Sequence, residues 1–326
     1  MRLEHIALDF NGSAASFTER LVPIKGKLRK ILDPNNEVRA IQAGFESALW
    51  DMELIPKLVS ASAFQKGSSV LKNVLRHRGN QYFFLTDLRG AYESLTTNKL
   101  ISGLPEIWKS FEDSEEEVRN FINRYLCPKG SLAFGGPISP LLFNLYCEQT
   151  LDYWVRMSLP TDVFYSRYAD DLTFSSGKRP LSRRFKKTIL KFIRRAGFEI
   201  AAHKTQSLDI GKGSVLINGM RLLENGHLSL RKKDEAFFTS LVEKVVRGQS
   251  SEEERSAAYG FLGNVMPVIP YLRAGRRQKH LALMCFKLRR AKKGRRTEED
   301  KKIDRDLRQY CRGWSEIYGE RPGKLR

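Results

Sequence analysis

Residues 163–174 read Val-Phe-Tyr-Ser-Arg-Tyr-Ala-Asp-Asp-Leu-Thr-Phe, a run of aromatic and β-branched residues that two adjacent acids interrupt. Because such residues favour strands on both sides of the acids, the sequence predicts a β-hairpin with Asp170 and Asp171 at its tip. Asp is also a common residue of turns that are merely solvated. The pair therefore indicates a metal site only if further carboxylates lie nearby.

A third acid ends an apolar stretch further upstream. Residues 81–88 read Gln-Tyr-Phe-Phe-Leu-Thr-Asp-Leu, which predicts a strand with Asp87 near its end. Two-metal phosphoryl transfer uses hard oxygen ligands that hold two divalent ions roughly 3.5 to 4 Å apart. Three acids on neighbouring strands meet that requirement, so we expect Asp87, Asp170 and Asp171 to form one metal site.

These acids belong to a series of motifs that resembles the palm of a reverse transcriptase. The series consists of Asp87 with Tyr92, Gly135 to Pro140, Tyr168 to Asp171, Gly197 to Ile200 with Lys204 and Thr205, and Ile217 to Met220. The resemblance runs from about Lys25 to about Arg277. It implies an α+β fold of the right-hand polymerase type, with fingers, a palm of antiparallel sheet plus helices, and a helical thumb.

The resemblance also implies domain boundaries. The expected domains are residues 1–80 (N-terminal segment and fingers), 81–222 (palm, with a finger insertion at about 96–130), 223–296 (thumb) and 297–326 (a helical appendage). Local patterns predict three elements within them: a hairpin about a Gly turn at 21–32, a packing helix at 38–58 and a helix at 139–154.

Two segments resemble the bacterial retron-type enzymes in particular. Asn73 to His77 is similar to the retron NAxxH signature, with Val74 in place of Ala, and Ile217 to Gly219 lies where those enzymes usually carry Val-Thr-Gly. Asn73 and His77 fall on one helix face, where we expect them to be structural or RNA-contacting residues. A departure from the family pattern is Phe134, which replaces a glutamine that helps to shape the template and nucleotide pocket.

The resemblance assigns the metal ligands and the residues around the nucleotide. It implies that Asp87, Asp170, Asp171 and the Leu88 carbonyl hold two Mg ions, and that Lys204 protonates the leaving pyrophosphate, with a plain phosphate contact as the alternative for Lys204. The other implied nucleotide-binding residues are Arg29, Lys27, Lys25, Tyr92, Phe134 and Gly135. Tyr92 is expected to exclude a ribose 2′-hydroxyl, with a core aromatic as the alternative, and the hairpin lysines are equally compatible with an ordinary basic surface.

Further residues are expected to contact the primer or the nucleic-acid backbone. Asn218, Gly219 and Met220 correspond to the turn that supports the primer terminus. The expected backbone contacts are Lys66, Arg276, Arg277, Lys287, Arg289 and Arg290. The last five lie in residues 273–296, which contain many Lys and Arg and no acid; a solvated helix face is the alternative interpretation.

The charge of the chain indicates an anionic partner. Its 326 residues carry a formal net charge of +20 with 41% hydrophobic residues, which excludes simple disorder and favours nucleic acid. We find no uninterrupted apolar run of 18 residues and no convincing signal sequence, so we expect a cytoplasmic protein without a membrane partner. The four cysteines are scattered singly, a pattern that indicates free thiols and no structural metal.

If the chain is a retron enzyme, the resemblance implies several partners. They are a structured noncoding RNA that acts as template and primer, an RNA-DNA duplex, dNTP substrates and a separate effector protein. The product would be multicopy single-stranded DNA used in antiphage defence. The alternatives are another bacterial reverse transcriptase, such as a defence-associated, diversity-generating or group II intron-like enzyme, and a non-catalytic RNA-binding scaffold, against which the intact acids argue.

Overall fold

The computed structural model describes residues 1–8, 15–24, 27–291 and 297–311. Within these residues the chain forms two compact units, each built from two separate segments. Unit 1 consists of Met1–Ser68 and Tyr82–Ser207; unit 2 consists of Ser69–Gln81 and the described residues from Leu208 onward. Helices and antiparallel strands occur in both units, which confirms the predicted α+β class.

Unit 1 contains four strands of a five-stranded sheet, a separate two-stranded hairpin and eight helices among its described residues. The strands are β1 (Phe17–Ile24), β2 (Lys27–Pro34), β3 (Tyr82–Arg89), β4 (Val163–Tyr168), β5 (Asp171–Ser176) and β6 (Glu199–Ile200). The helices are α1 (Leu3–Leu8), α2 (Asn36–Asp51), α4 (Thr97–Gly103), α5 (Pro105–Lys109), α6 (Glu115–Phe121), α7 (Ser139–Cys147), α8 (Tyr153–Met157) and α9 (Arg183–Arg195). A π-helical turn (Glu148–Asp152) joins α7 to α8, so the predicted helix at 139–154 forms and continues to Met157.

The sheet order is β4-β5-β3-β6, which makes β3 and β5 the central strands. Strand β3 pairs antiparallel with β5, so that Asp87 lies opposite Asp171. Strand β4 pairs with β5 through a two-residue loop, with Tyr168 opposite Asp171. The register therefore brings the end of β3 and the turn between β4 and β5 to the same edge of the sheet.

Helix α2 shows how unit 1 builds its core. The side chain of Asn35 accepts a hydrogen bond from the Val38 amide (3.1 Å) and caps the first turn. Phe45 is fully buried and lies against the rings of Trp108, Phe111 and Phe121. Burying one such phenyl ring stabilises the fold by roughly 1.5 to 3 kcal/mol, so this cluster holds α2 firmly on the rest of unit 1.

The predicted helix at 38–58 ends earlier than its apolar pattern. It stops at Asp51 because Glu53 takes a left-handed conformation (φ 55°) and closes the helix with two reverse hydrogen bonds. The Glu53 amide donates to the Trp50 carbonyl and the Leu54 amide to the Leu49 carbonyl, a Schellman arrangement.

Unit 2 combines one early helix with the C-terminal part of the chain. Strand β7 (Gln206–Asp209) leads from unit 1 into it. Its other elements are α3 (Val70–Leu75), β8 (Val215–Ile217), β9 (Met220–Leu222), β10 (Leu228–Leu230), α10 (Lys232–Val246), α11 (Glu252–Val265), α12 (Arg276–Ala291) and α13 (Glu298–Cys311). Strands β8, β9 and β10 form an antiparallel sheet with β9 at its centre. Among the described residues, no helix combines the length and apolar character that a membrane span requires.

Candidate active site

Three carboxylates meet at one edge of the unit 1 sheet. Asp87 lies two residues before the end of β3, Asp170 lies in the loop between β4 and β5, and Asp171 begins β5. One carboxylate oxygen from each of the three lies within 4.8 Å of the others. Asp87 is buried, whereas Asp170 and Asp171 are half-buried and face solvent in part. The structure thus brings together the three acids that the sequence singled out.

The loop that carries Asp170 has an unusual backbone. Ala169 adopts φ 53°, a left-handed conformation that costs a non-glycine residue roughly 1 to 2 kcal/mol. The loop contains only Ala169 and Asp170, and the primed turns that close such loops require φ above zero at their first central residue. The carbonyl of Asp170 accepts a hydrogen bond from the Leu88 amide (2.9 Å), which ties the loop to β3.

A buried ion pair also fixes the position of this loop. Arg167 and Asp152 are both completely buried, and the Arg167 guanidinium makes Nε and Nη2 hydrogen bonds to the Asp152 carboxylate at 2.8 to 3.1 Å. Its Nη1 donates to the Ala169 carbonyl and to Asn144 Oδ1, each at 3.0 Å. Burial alone would lower the pKa of Arg167, because it disfavours the charged guanidinium. The nearby charge and hydrogen bonds of Asp152 outweigh that effect, so the pKa of Arg167 is raised. Arg167 therefore remains charged and fixes the turn; sequence reasoning missed this role.

Lys204 approaches the acids from the side of β3 that pairs with β6. It lies in a short 3₁₀ turn after β6, and its Nζ donates to Asp87 Oδ2 at 2.5 Å. Burial lowers the pKa of Lys204, but the hydrogen bond to Asp87 and the charges of all three acids outweigh that effect, so its pKa is raised. The structure thus places a cation directly beside the carboxylates.

Tyr92 lies in a stack of aromatic rings close to the acids. Its ring is 5.3 Å from Phe134 and 5.3 Å from Phe143, and it lies nearly parallel to Phe143. Burial raises the pKa of the Tyr92 hydroxyl, and the charge of Asp170 raises it further. The phenol is therefore neutral, and Phe134, at the position of the family's glutamine, packs against it.

Leu88 and Gly135 are held by backbone contacts. The Leu88 side chain is buried in the core and the residue pairs with Ile200 of β6. Gly135 adopts φ 123°, and a Cβ at that position would lie 2.8 Å from the Leu32 carbonyl oxygen of β2. Next to it, the Leu32 amide donates to the Phe134 carbonyl at 2.8 Å. The loop around Gly135 therefore lies directly on the β1-β2 hairpin.

The hairpin forms as predicted and presents Arg29 to solvent. Arg29 lies opposite Val22 and is exposed, and it makes no ion pair within the described part of the chain. The backbone of Lys27 takes part in the strand pairing of the hairpin. The side chain of Lys27 and all of Lys25 lie outside the described residues. Lys66, the other expected contact in unit 1, is exposed.

In unit 2, the predicted primer-supporting residues form a tight turn. Asn218 and Gly219 connect β8 to β9 as a two-residue loop with φ values of 49° and 89°. Asn-Gly is the preferred pair for such a loop because both residues tolerate positive φ. The Asn73 side-chain amide donates to Asn218 Oδ1 at 2.7 Å. The two segments that resemble retron motifs are thus in direct contact.

The expected backbone-contacting cations of unit 2 have different surroundings. Arg277 is bound internally, through Glu235, Ser229 Oγ (2.6 Å) and the Leu230 carbonyl (2.6 Å). Arg289 bonds to Asp300 and Asp304. Arg276 and Arg290 are exposed and Lys287 is half-buried, and none of these three makes an ion pair among the described residues.

The donor set at the sheet edge fits a divalent cation. Three carboxyl groups supply hard oxygen ligands of the kind that Mg²⁺ and Mn²⁺ prefer over soft sulfur or imidazole donors. Because like charges this close repel one another, a bound cation stabilises the arrangement. Asp87, Asp170 and Asp171 are the residues that would hold it.

Comparison with known proteins agrees with this site. The family model described as reverse transcriptase (RNA-dependent DNA polymerase) matches residues 18–242. The chain is 26% identical over 252 residues to the Retron Ec83 reverse transcriptase of Escherichia coli, covering 74% of this chain and 79% of that protein. It is 28% identical over 201 residues to the Retron Ec86 reverse transcriptase of the same species, covering 59% of each.

Solved structures show the same fold at low sequence identity. Apo telomerase from Candida tropicalis aligns with a TM-score of 0.51 and 12% identity, covering 92% of this chain and 63% of that one. The telomerase of that species in complex with a TWJ fragment of telomeric RNA gives 0.50 and 10%, with 91% and 65% coverage. The chain thus spans less than two thirds of the telomerases, and this likeness concerns the fold alone.

The family match covers more than half of the chain and includes all three acids. The chain therefore belongs to the reverse transcriptase (RNA-dependent DNA polymerase) family, as an RNA-directed DNA polymerase with the α+β right-hand polymerase fold and with similarity to the retron enzymes.

Proposed function

We propose that this protein is a retron enzyme that copies a structured noncoding RNA into DNA from dNTPs by two-metal nucleotidyl transfer. The observation that carries the proposal is the group of Asp87, Asp170 and Asp171, whose carboxylate oxygens lie within 4.8 Å of one another at an accessible sheet edge. We propose Mg²⁺ as the metal, because it binds through carboxylates and substrate phosphates.

The chain's own residues supply position and charge. Bound Mg²⁺ would act as a Lewis acid that lowers the cost of forming the 3′-alkoxide and of releasing pyrophosphate. Asp87 and Asp171 are fixed by strand pairing, and Asp170 by its bond to the Leu88 amide and by Arg167 beneath the turn. We propose that Lys204, whose ammonium bonds to Asp87, neutralises or protonates a departing phosphate oxygen.

Tyr92 and Arg29 are proposed to select and hold the nucleotide. The Tyr92 ring is clamped between Phe134 and Phe143, so it cannot easily rotate away from a ribose 2′-hydroxyl. Arg29 is an exposed cation on a hairpin that the Gly135 loop supports, and a guanidinium is suited to the triphosphate. We propose Lys25 and Lys27 as its partners in that role.

The retron assignment rests on similarity and on one contact. The curated relatives carry that name, and Asn73 of the NAxxH-like segment bonds to Asn218 of the turn proposed to support the primer terminus. We propose that the partner is a structured noncoding RNA joined to its DNA copy as multicopy single-stranded DNA. We also propose a role in antiphage defence with a separate effector, and a cytoplasmic location, where RNA and dNTPs are available.

The experiment compares the wild-type protein with an Asp170→Asn/Asp171→Asn variant, both purified from cells that carry the native locus. Incorporation of dTTP is measured on poly(rA)/oligo(dT) with Mg²⁺, and the copurified nucleic acid is sequenced. The matched control is Asp51→Asn/Asp306→Asn, which removes two exposed carboxylates remote from the triad in sequence. We expect incorporation to fall by at least about 10³-fold in the first variant and to stay unchanged in the control.

The nucleic acid separates the remaining alternatives. A discrete RNA covalently joined to a short DNA in wild type, with only the RNA in the Asp variant, supports the retron assignment. Unlinked or heterogeneous DNA contradicts that assignment while leaving the polymerase intact. Absence of Mg²⁺-dependent incorporation in wild type would mean a non-catalytic RNA-binding scaffold.

A further inference from the structure

Helix α9 carries a continuous row of cations that the proposed chemistry does not use. Its apolar side is fixed on the core by the buried Ile189 and Ile193. The opposite side contains six exposed cations: Arg183, Arg184, Lys187, Lys191, Arg194 and Arg195. At 100° per residue these six fall within an arc of about 120°, and the row is about 20 Å long.

This row is not neutralised by the protein itself. Helix α9 contains no acid, and none of its six exposed cations pairs with a carboxylate in the described part of the chain. Elsewhere in unit 1 exposed cations commonly have such partners, for example Lys30 with Glu19 at 2.7 Å. Lys186, on the flank of the helix, instead lies over the Phe84 ring at 5.8 Å. The uncompensated charge of α9 therefore forms one straight stripe.

Two exposed aromatic side chains lie at the C-terminal end of the stripe. Tyr153 and Trp154 of α8 are each 47% exposed and pack edge to face, with ring centroids 5.3 Å apart. The guanidinium of Arg195 lies over the Trp154 ring at 5.8 Å. A row of cations that leads to exposed aromatic rings and a stacked arginine is the combination that binds single-stranded nucleic acid, since phosphates pair with the cations and unpaired bases stack on the rings.

We propose that the α9 stripe, defined as the six cations above with Tyr153 and Trp154, binds a single-stranded segment of RNA. The inference rests on the proposed function, because it gives the RNA partner an anchoring surface in addition to the acids and the nucleotide-binding residues. The stripe contacts backbone phosphates along α9, and one or two unpaired bases stack at Trp154. The expected preference is for unpaired RNA over duplex, because a duplex does not offer base faces to the rings.

The first test uses a charge variant with a matched control. Lys187→Gln/Lys191→Gln/Arg194→Gln removes three stripe cations, and Arg2→Gln/Lys57→Gln/Lys109→Gln removes three exposed cations elsewhere in unit 1. Binding of fluorescein-labelled rU20 and of a 20-base-pair RNA duplex is measured by anisotropy at several salt concentrations. For rU20, the stripe variant is expected to reduce the slope of log K against log salt by about 2, as three lost phosphate contacts on a single strand require. The control should change it by much less.

The second test addresses the aromatic end. Trp154→Ala is compared with Trp50→Ala, which truncates another exposed tryptophan, 57% exposed on α2. Loss of one stacked base is expected to weaken rU20 binding roughly 5- to 100-fold for Trp154→Ala only, with little effect on the duplex. Photocrosslinking of 4-thiouridine-substituted RNA should label Tyr153 or Trp154 in the wild-type protein.

The outcomes distinguish this inference from the proposed function. Retained incorporation on poly(rA)/oligo(dT), together with weaker rU20 binding, supports the stripe while leaving the polymerase intact. Equal effects of the stripe and control variants on rU20 would overturn the proposal, as would equal losses for rU20 and duplex. Selective loss of binding to phosphatidylserine vesicles, with rU20 binding unchanged, would instead assign the surface to a membrane and also overturn it.

Discussion

Arg167 is the residue on which the geometry of the acids depends most. Its guanidinium bonds to Asp152 on one side and to the Ala169 carbonyl on the other, so a single buried group links α8 and its preceding turn to the loop that bears Asp170. The Asp152 partner is completely buried. Removing the guanidinium leaves a buried, uncompensated carboxylate, whereas replacing it with a smaller cation keeps the charge and loses the geometry.

Arg167→Met is therefore expected to lower the free energy of unfolding by roughly 3 to 5 kcal/mol, measured by urea denaturation. Arg167→Lys should fold, but its ammonium cannot reach Asp152 and Ala169 together. We expect its kcat for dNTP incorporation to fall at least about tenfold with little change in KM, because the acids are displaced rather than the nucleotide site. The control Arg156→Lys alters an arginine paired with Glu148; equal kinetic losses in both lysine variants would contradict the positioning role.

His77 gives the stability of unit 2 a dependence on pH. Burial lowers the pKa of His77 from 6.5 to about 3, and the charge of Arg76 adds to the effect. The unfolded chain binds a proton near pH 6.5 that the folded protein does not, so the contribution of His77 is complete above that pH and is lost as the pH falls toward 3. The slope is at most about 1.4 kcal/mol per pH unit.

Hydrogen exchange in residues 69–81 measures this effect locally. Between pH 6.5 and 5.5 the opening free energy of these amides, after correction for intrinsic rates, should fall in the wild type. It should fall less in His77→Gln, which cannot titrate. His5→Gln, which removes an exposed histidine, serves as the control, and an unchanged slope in His77→Gln would rule out His77 as the source.

At the scale of elements, the contact between the Gly135 loop and β2 can be used to test how the hairpin is supported. Gly135→Ala places a Cβ 2.8 Å from the Leu32 carbonyl oxygen, so the hairpin that carries Arg29 must shift. We expect the KM for dNTPs to rise several-fold and the free energy of unfolding to fall by roughly 1 to 3 kcal/mol. Gly130→Ala is the matched control, because Gly130 also has positive φ (79°) but a Cβ added there would meet nothing within 4 Å. If the KM rises equally in Gly135→Ala and Gly130→Ala, the cause is backbone strain at positive φ and not the contact between the new Cβ and the Leu32 carbonyl oxygen.

Elements with a strong local signal were predictable from the sequence. The β4-β5 hairpin formed because strand-forming residues flank a short turn, and the pairing of β5 with β3 sets Asp171 opposite Asp87. The apolar spacing located α2 but not its end, since Glu53 is not a residue that usually takes a left-handed conformation. A local pattern thus locates an element better than it locates the element's boundary.

Contacts between distant residues had no such signal. The pairing of Arg167 with Asp152 depends on how the π-helical turn Glu148–Asp152 packs against β4, and nothing in the sequence near either residue indicates it. Similarly, Arg277 and Arg289 look like their neighbours in a basic stretch, yet each is bound by acids of another helix. The sequence could therefore indicate which residue types a site needs, but not which cations are already engaged.

At the scale of the whole molecule, the net charge of +20 predicts a steep salt dependence of RNA binding. If six or more phosphates are contacted, affinity should fall by at least about 10³-fold between 50 and 200 mM KCl. Anisotropy of a labelled structured RNA measures this, and circular dichroism at both salt concentrations controls for unfolding. A fall of less than tenfold would mean that contacts other than phosphate pairing dominate.

The two-segment construction of unit 2 has a consequence for how the protein is made. Asn73 and its partner Asn218 are 145 residues apart in the chain. At a synthesis rate of about 5 to 20 residues per second, helix α3 leaves the ribosome roughly 7 to 30 seconds before the strand turn to which it binds. During that interval its apolar face has no native partner, so slow translation of the intervening region would prolong the time in which a nascent chain is open to chaperones and proteases.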